Sequence, residues 1–279
     1  MKIVSIVGAR PQFIKASAVS KAIKENTEID DILLHTGQHF DWNMSQVFLT
    51  ELNMNEPKYC LNINGLTHGA MVGRMIEKIE EVLIKEAPDL VLVYGDTNST
   101  LAGALAAKKL SLKVAHIEAG LRSFDMHMPE EINRVLTDRI SDVLFCPTAT
   151  AIENLKREGQ DQSNCRIIKS GDVMKDIALF SSPLAKKPDF PVPEKFILVT
   201  MHRAENTDNQ NKLESIIRAL NKISHEIEVV FPIHPRTHKE ILKNKIKAEF
   251  EFVEPVGYLQ MLYLLRNCQL VATDSGGLQ

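Results

Sequence analysis

KIVSIVGARPQFIK, residues Lys2 to Lys15, sets the fold class. Its first six residues are an unbroken apolar run rich in β-branched side chains, as expected of a strand buried on both faces of a parallel sheet. A Gly-Ala-Arg-Pro turn follows at once, and then a helical pattern over residues 14–26. A strand that delivers a polar turn into a helix is the unit of a doubly wound α/β protein, and the unit recurs along the chain. DILLHTG supplies a second strand, Asp41 to Leu52 a helix, and Thr67 to Glu86 a longer helix whose apolar stripe includes Met71, Met75, Ile79 and Leu83. LVLVYGD, KVAHIEAG and DVLFC continue the series, the last with a helix behind it.

Residues 181–195, SSPLAKKPDFPVPEK, place four prolines among charged residues and read as a linker. It separates an N-terminal Rossmann-like domain over 1–180 from a second α/β segment over 196–279. In that segment FILVTMHR, EVVFPIHPR and CQLVATDSGG are strands with polar exits, and residues 209–225 form a helix. This segment is shorter than such a domain commonly needs to bury both faces of its sheet, so the second domain is expected to be incomplete.

With 33 basic against 36 acidic side chains among 279 residues, the net charge of −3 creates no field that would gather nucleic acid. The N-terminus lacks a signal-peptide pattern and no run of 18 apolar residues offers a membrane span, so a cytosolic protein without nucleic-acid or membrane partners is expected. Cys60, Cys146, Cys165 and Cys268 are scattered, with no CxxC or Cys/His cluster to indicate zinc or a disulfide framework. Cys146 and Cys268 border apolar runs and read as small buried hydrophobes.

Polar clusters follow nearly every strand, where an open α/β sheet binds ligands, and their origin in both halves points to a cleft between two sheets. They comprise Gly8, Arg10 and Lys15; Gln38 and His39; Gly95, Asp96 and Thr97; Glu118, Gly120 and Arg122; Glu130, Glu131 and Arg134; His202, Arg203 and Glu205; His234 and Arg236; and Asp274, Ser275, Gly276 and Gly277. Neither G-x-G-x-x-G nor G-x-x-x-x-G-K-[ST] is present, and no HExxH or DxD pattern calls for a metal. Arg10 and Lys15 beside helix N-terminal amides suit a phosphate or carboxylate, and the Ser275–Gly277 turn offers a hydroxyl and open backbone amides for the same purpose. Asp96, Glu118 and Glu131 are candidate acid/base groups, each with a structural alternative: Asp96 is placed to cap a helix, and Glu130 and Glu131 suit a helix's first turn. If crowded, such carboxylates raise one another's pKa. His202 and His234 have the alternative of satisfied loop histidines.

In series, GARPQFIK, TGQH, GDTNST, HIEAGLRS, PEEINR, HRAEN, HPR and TDSGG resemble the non-hydrolysing UDP-N-acetylglucosamine 2-epimerases over residues 8–277. The resemblance implies two Rossmann-like domains of glycosyltransferase-B type. It also implies reversible conversion of UDP-N-acetylglucosamine to UDP-N-acetylmannosamine by elimination and re-addition of UDP, without a cofactor. By similarity Asp96, Glu118, Glu131 and His202 are catalytic, and Arg10, Lys15, Arg134, His202, Arg236, Ser275, Gly276 and Gly277 bind the substrate. A second UDP-N-acetylglucosamine would act as activator near Gln38, Gln46 and Arg74, although Met71 and Val72 stand where relatives often carry Gln-Thr. A homodimer is the family expectation for the full-length form. The competing readings are a UDP-sugar glycosyltransferase or hydrolase on the same fold, or a non-catalytic nucleotide-sugar-binding fragment. Family members continue past SGGLQ, so the 279-residue chain is expected to be weakly active or inactive, since a binding turn misplaced by about an ångström can cost about 100-fold in rate. Turnover comparable to that of a longer relative in a side-by-side epimerase assay would overturn that expectation.

Overall fold

The computed structural model describes residues 1–26, 28–38, 51 and 54–278, which divide by contacts into Met1–Ile177 and Ala178–Gln279. Among the described residues the first unit holds seven strands: β1 (Lys2–Val7), β2 (Asp30–His35), β3 (Tyr59–Cys60), β4 (Leu90–Tyr94), β5 (Val114–Ile117), β6 (Val143–Cys146) and β7 (Arg166–Lys169). They form one parallel sheet in the order β3-β2-β1-β4-β5-β6-β7, with Ile3 opposite Leu90 and Asp31 across the central pairs. Its helices among the described residues are α1 (Arg10–Lys24), α2 (His68–Glu86), α3 (Asn98–Lys109), α4 (Pro129–Ile140), α5 (Ala149–Arg157) and α6 (Val173–Ser181), the last running across the division between the units.

The period-2 alternation of the strands builds two cores. Val4, Ile6, Ile32, Leu34, Val91 and Val93 face the α2 and α3 side with Met75, Ile79, Leu83 and Ala102. Ile3, Val7, Leu33, Leu92 and Ile117 face the other way, with Phe13 and Ala16 of α1. Both layers are dry and close-packed, which is why these runs read as continuously hydrophobic. Strand order reverses between β1 and β4, so the turns that leave these two neighbours diverge and open the crevice typical of the fold.

The second unit is a four-stranded parallel sheet in the order β10-β9-β8-β11, made of β8 (Phe196–Thr200), β9 (Glu228–Pro232), β10 (Phe252–Val253) and β11 (Leu270–Thr273). Its helices are α7 (Ala204–Thr207), α8 (Gln210–Ser224), α9 (Pro235–Lys243) and α10 (Tyr258–Asn267). Ile197 and Val199 pack with Leu213, Ile217 and Leu220 of α8, while Phe196 and Leu198 pack with Leu264 of α10. Its reversal lies between β8 and β11.

Several elements depart from the sequence reading. Helix α1 begins at Arg10, four residues earlier than the pattern implied. The reason is Gln12, whose carboxamide oxygen accepts from the backbone N–H groups of Gly8 (2.8 Å) and Ala9 (3.0 Å), while Pro11 costs nothing at a position whose N–H has no helical partner. β3 and β10 are two residues long, too short for periodicity to register. β7, α6, α9 and α10 were also unread. The proline-rich stretch falls on the second unit's side of the division, with a 3₁₀ turn at Ser182–Leu184 and the Lys186 N–H donating to Leu259 O (3.1 Å). Cys146 is fully buried, whereas Cys268 is only half-buried. The helix expected over 41–52 lies outside the described residues except at Glu51.

Gly8, just past β1, is tightly enclosed: a Cβ there would fall inside contact distance of Thr36 Oγ1 and Ser99 Oγ, which are themselves hydrogen-bonded at 2.8 Å. Gly8→Ala should therefore cost about 1–3 kcal/mol by overpacking, seen as a lower urea midpoint with an unchanged m-value.

Candidate active site

The β1–β4 reversal gathers the first unit's polar residues. Gln12 is buried and forms four hydrogen bonds: besides its two acceptor contacts, Nε2 donates to Tyr94 O (2.7 Å) and Thr100 Oγ1 (2.9 Å). One carboxamide thus ties the exit of β1 to the exit of β4 and the first turn of α3. The half-buried Arg10 opens α1; burial lowers its guanidinium pKa and the Glu51 carboxylate offsets part of that shift. Lys15, one turn along α1, reaches Glu118 and forms an ion pair.

Asp96 follows the Gly95 turn (φ 62°) at the end of β4. It was weighed as a helix cap, but Thr97 holds that position on α3, accepting from the Thr100 N–H. The Asp96 carboxylate is instead paired with Arg134 of α4. Asn133 donates to Asp96 O (2.9 Å), fixing the same residue from its backbone. Glu118 leaves β5 in the left-handed region (φ 74°), where its backbone N–H still reaches Phe145 O (3.1 Å). A side chain added at Gly95 would stand 3.1 Å from both Glu118 Oε2 and Lys15 Nζ, so this glycine borders the pair.

Glu131 is fully buried in the first turn of α4. Burial pushes its pKa up, but the N–H groups of Ser123 (2.9 Å) and Phe124 (2.9 Å), the Ser123 hydroxyl (3.0 Å) and Arg134 Nη1 (3.2 Å) outweigh burial and hold it below the usual value. The expectation that crowding would raise it is therefore corrected at this residue: donors, not other carboxylates, surround it. Arg134 stands between Glu131 and Asp96 and bridges them. Glu130 is exposed.

Next to these turns a chain of groups runs from the buried His116 and Asp138 through Arg122 to the exposed Glu158; of these residues the sequence pattern marked only Arg122. His116, on β5, makes hydrogen bonds with Gly95 O (2.6 Å) and Asp138 Oδ1 (2.7 Å). Asp138 Oδ2 accepts from the Gly120 N–H (3.0 Å) and Arg122 Nη1 (2.7 Å), and Arg122 forks onto both oxygens of Glu158 at 2.7 Å. A histidine inside an otherwise apolar strand was the available signal for this network; Asp138, on the inner face of α4, gave none. Gln12 was hidden because its capping partner is the side-chain-poor Ala9 in place of Ser or Thr.

In the second unit, His202, Asp274 and Ser275 meet at the ends of β8 and β11. Asp274 accepts from the N–H groups of His202 (3.1 Å) and Arg203 (3.0 Å) and from Asn206 Nδ2 (3.1 Å), and its Oδ1 lies 3.0 Å from His202 Nδ1. Burial raises the Asp274 pKa, but these donors outweigh it and the net shift is downward. The Ser275 N–H donates to Thr273 Oγ1 (2.9 Å), and a 3₁₀ turn covers Gly276–Leu278. Arg236, in the first turn of α9, is half-exposed and binds both oxygens of Asp208 at 2.7 and 2.8 Å. His234 is the N-cap of α9, its Nδ1 accepting from the Arg236 N–H (3.2 Å).

Of the expected effector residues, Gln38 accepts at Oε1 from Ser99 Oγ (2.7 Å) and N–H (3.1 Å) in the first turn of α3. Arg74 is exposed on α2 and pairs with Glu77 at 3.1 Å. Met71 and Val72 pack against the core beneath α2. His39 and Gln46 lie outside the described residues.

Doubly wound units whose strand exits carry cations, backbone-amide turns and paired carboxylates define a class of α/β proteins that bind anionic ligands at their switch points. Comparison narrows the class. The family model described as UDP-N-acetylglucosamine 2-epimerase matches residues 21–279, and the chain belongs to that family. It is 57% identical to the UDP-2,3-diacetamido-2,3-dideoxy-D-glucuronate 2-epimerase of Pseudomonas aeruginosa, covering 100% of this chain and 79% of that protein. It is 45% identical to the UDP-N-acetylglucosamine 2-epimerase of Methanocaldococcus jannaschii, of which it spans 80%. A crystal structure of the M. jannaschii enzyme in complex with UDP-GlcNAc and UDP aligns with a TM-score of 0.90 at 44% identity, over all of this chain and 80% of that one.

The lowered Glu131 value has a definite sign. Stability from its ionised form is fully present above the unfolded glutamate pKa, near 4.3, and is lost as the pH falls through the lower folded value. Glu131→Gln should be less stable than wild type at pH 7, and the deficit should narrow on acidification below about pH 4. Urea unfolding at both pH values checks this; a deficit independent of pH would contradict it.

Proposed function

We propose that the chain interconverts UDP-N-acetylglucosamine and UDP-N-acetylmannosamine at C2. The observation that carries this reading is the gathering of Asp96, Glu118 and Glu131 around the exits of β4 and β5, in a chain of the UDP-N-acetylglucosamine 2-epimerase family. The proton at C2 passes to a carboxylate as the C1–O bond breaks, and UDP departs with the bonding electrons. The resulting 2-acetamidoglucal takes UDP back at C1 and a proton at the opposite face of C2. Two faces require two proton-handling groups. Asp96 and Glu118, from neighbouring strands and each with its own cation, suit those roles. Glu131, held ionised by four donors, suits the positioning of Arg134 and of the Ser123–Phe124 turn.

Negative charge grows on the diphosphate as it leaves, and fixed cations and amides lower the barrier most where charge develops. Arg10, His202, Arg236 and the Ser275–Gly277 turn are the groups that the resemblance assigns to UDP. Lys15 and Arg134 act here through their carboxylate partners. A homodimer and a second, activating UDP-N-acetylglucosamine near Gln38, Gln46 and Arg74 belong to the same reading and rest on the resemblance; a cytosolic location rests on the sequence pattern.

A second substrate reading has one specific observation in its favour. The identity to the diacetamido-glucuronate epimerase, 57%, exceeds the 45% to the M. jannaschii enzyme. Such a substrate keeps the C2 acetamido group and the UDP leaving group, so the same carboxylates would serve.

Incubation in deuterium oxide with each UDP-sugar, followed by proton NMR, tests both. The expected result is deuterium at C2 together with the manno epimer from UDP-N-acetylglucosamine, slowed about 100-fold or more in Asp96→Asn and Glu118→Gln, the loss typical of a general acid or base. Exchange confined to the diacetamido uronate would select the second substrate. Release of free sugar without C2 exchange would replace epimerisation by hydrolysis.

A further inference from the structure

We propose that His116 and Asp138 form a positioning pair that locks together the two turns bearing Asp96 and Glu118, with His116 donating hydrogen bonds from both ring nitrogens. His116 and Asp138 are both inaccessible to solvent, so every polar atom they carry must find a protein partner. Nε2 of His116 lies 2.6 Å from the Gly95 carbonyl oxygen and Nδ1 lies 2.7 Å from Asp138 Oδ1. A carbonyl oxygen and an ionised carboxylate only accept, so both ring nitrogens must carry protons for both contacts to be hydrogen bonds. The ring is then an imidazolium, and its charge has a counter-ion in Asp138.

The surrounding groups agree with that assignment. Burial pushes the Asp138 pKa up, but His116 and Arg122 outweigh burial and keep the carboxylate ionised. Arg122 is in turn forked onto Glu158, so two cations and two carboxylates balance along one chain. Cys146, whose thiol burial pushes up to about 12, adds no charge.

The geometry explains what the pair accomplishes. His116 binds the carbonyl of Gly95, immediately before Asp96, and Asp138 binds the N–H of Gly120, two residues after Glu118. Both glycines have positive φ, 62° and 80°, a backbone region open to glycine at no steric cost, so neighbouring contacts must select it. The sheet ties the two exits only as far as the Gly95 N–H on Ile117 O (2.9 Å); beyond it the buried ion pair links the turns from adjacent strands, and with them two carboxylates that the epimerase reading sets on opposite faces of one carbon. Neither His116 nor Asp138 is assigned contact with the substrate.

The kinetic part of the inference rests on the proposed epimerase reading; the structural part does not. The first experiment is a long-range proton–nitrogen correlation spectrum of the 279-residue protein labelled with ¹⁵N-histidine, assigned with His116→Gln. The expected result is two directly bonded ring protons on His116, both slow to exchange with water; a ring with a single N–H overturns the assignment. The second experiment compares His116→Gln, His116→Ala and Asp138→Asn with wild type in UDP binding by calorimetry and in C2 deuterium exchange at saturating substrate. Exchange should fall about 100-fold in Asp138→Asn and His116→Ala, the scale for a misplaced catalytic group, with UDP affinity unchanged after correction for folded fraction. His116→Gln should recover part of the loss, because its amide can still donate to Gly95 O. Exchange that falls only in proportion to folded protein overturns the positioning role. Absence of C2 exchange in the wild-type protein would count against the epimerase reading, while the spectrum still decides the pairing.

Discussion

The four hydrogen bonds of the Gln12 carboxamide are the interaction on which the first unit's geometry depends. Parallel strands send all their exits to one edge, where the sheet ladder has ended and the backbone groups of the turns must find other partners. At the β1–β4 reversal, two amide N–H groups and one carbonyl meet a single buried side chain, and the same side chain engages the hydroxyl that begins α3. Without it, a glycine at the end of β1 and another at the end of β4 would leave their neighbours' direction undefined. With it, Arg10, Asp96 and the first turn of α3 share one frame.

The second unit solves the same problem with a charge. Asp274 leaves β11 and collects the N–H groups that follow β8, so the loop carrying His202 and Arg203 is shaped by a carboxylate from the neighbouring strand. A neutral amide suffices where the turn must receive both donors and acceptors; an anion suits a turn that presents only donors. In both units the anchoring residue is less conspicuous than the residues it holds.

That difference explains what the sequence discloses. The strands of the central sheets were legible because burial on both faces leaves continuous apolar runs, and most of the polar clusters fell at strand exits because that is where the fold puts them. The early start of α1 was not legible, since the cap comes from Gln12 reaching backwards instead of from Ala9. β3 and β10 are two residues long, held by pairing and by one packed aromatic each, Tyr59 and Phe252, and carry no pattern of their own. The role of Arg134 as a bridge between Asp96 and Glu131 depends on α4 lying across the end of β4, a relation between segments some 38 residues apart that spacing does not encode. The depressed Glu131 pKa likewise arises from where the Ser123–Phe124 backbone points.

Glu118 carries a further consequence. It is a non-glycine residue at φ 74°, a conformation that glycine or asparagine adopts at lower cost, and it occupies that position while presenting a carboxylate to Lys15. Its replacement would relax the backbone but strand the buried Lys15 ammonium without a counter-ion, so the strain at Glu118 is the cost of keeping that charge paired.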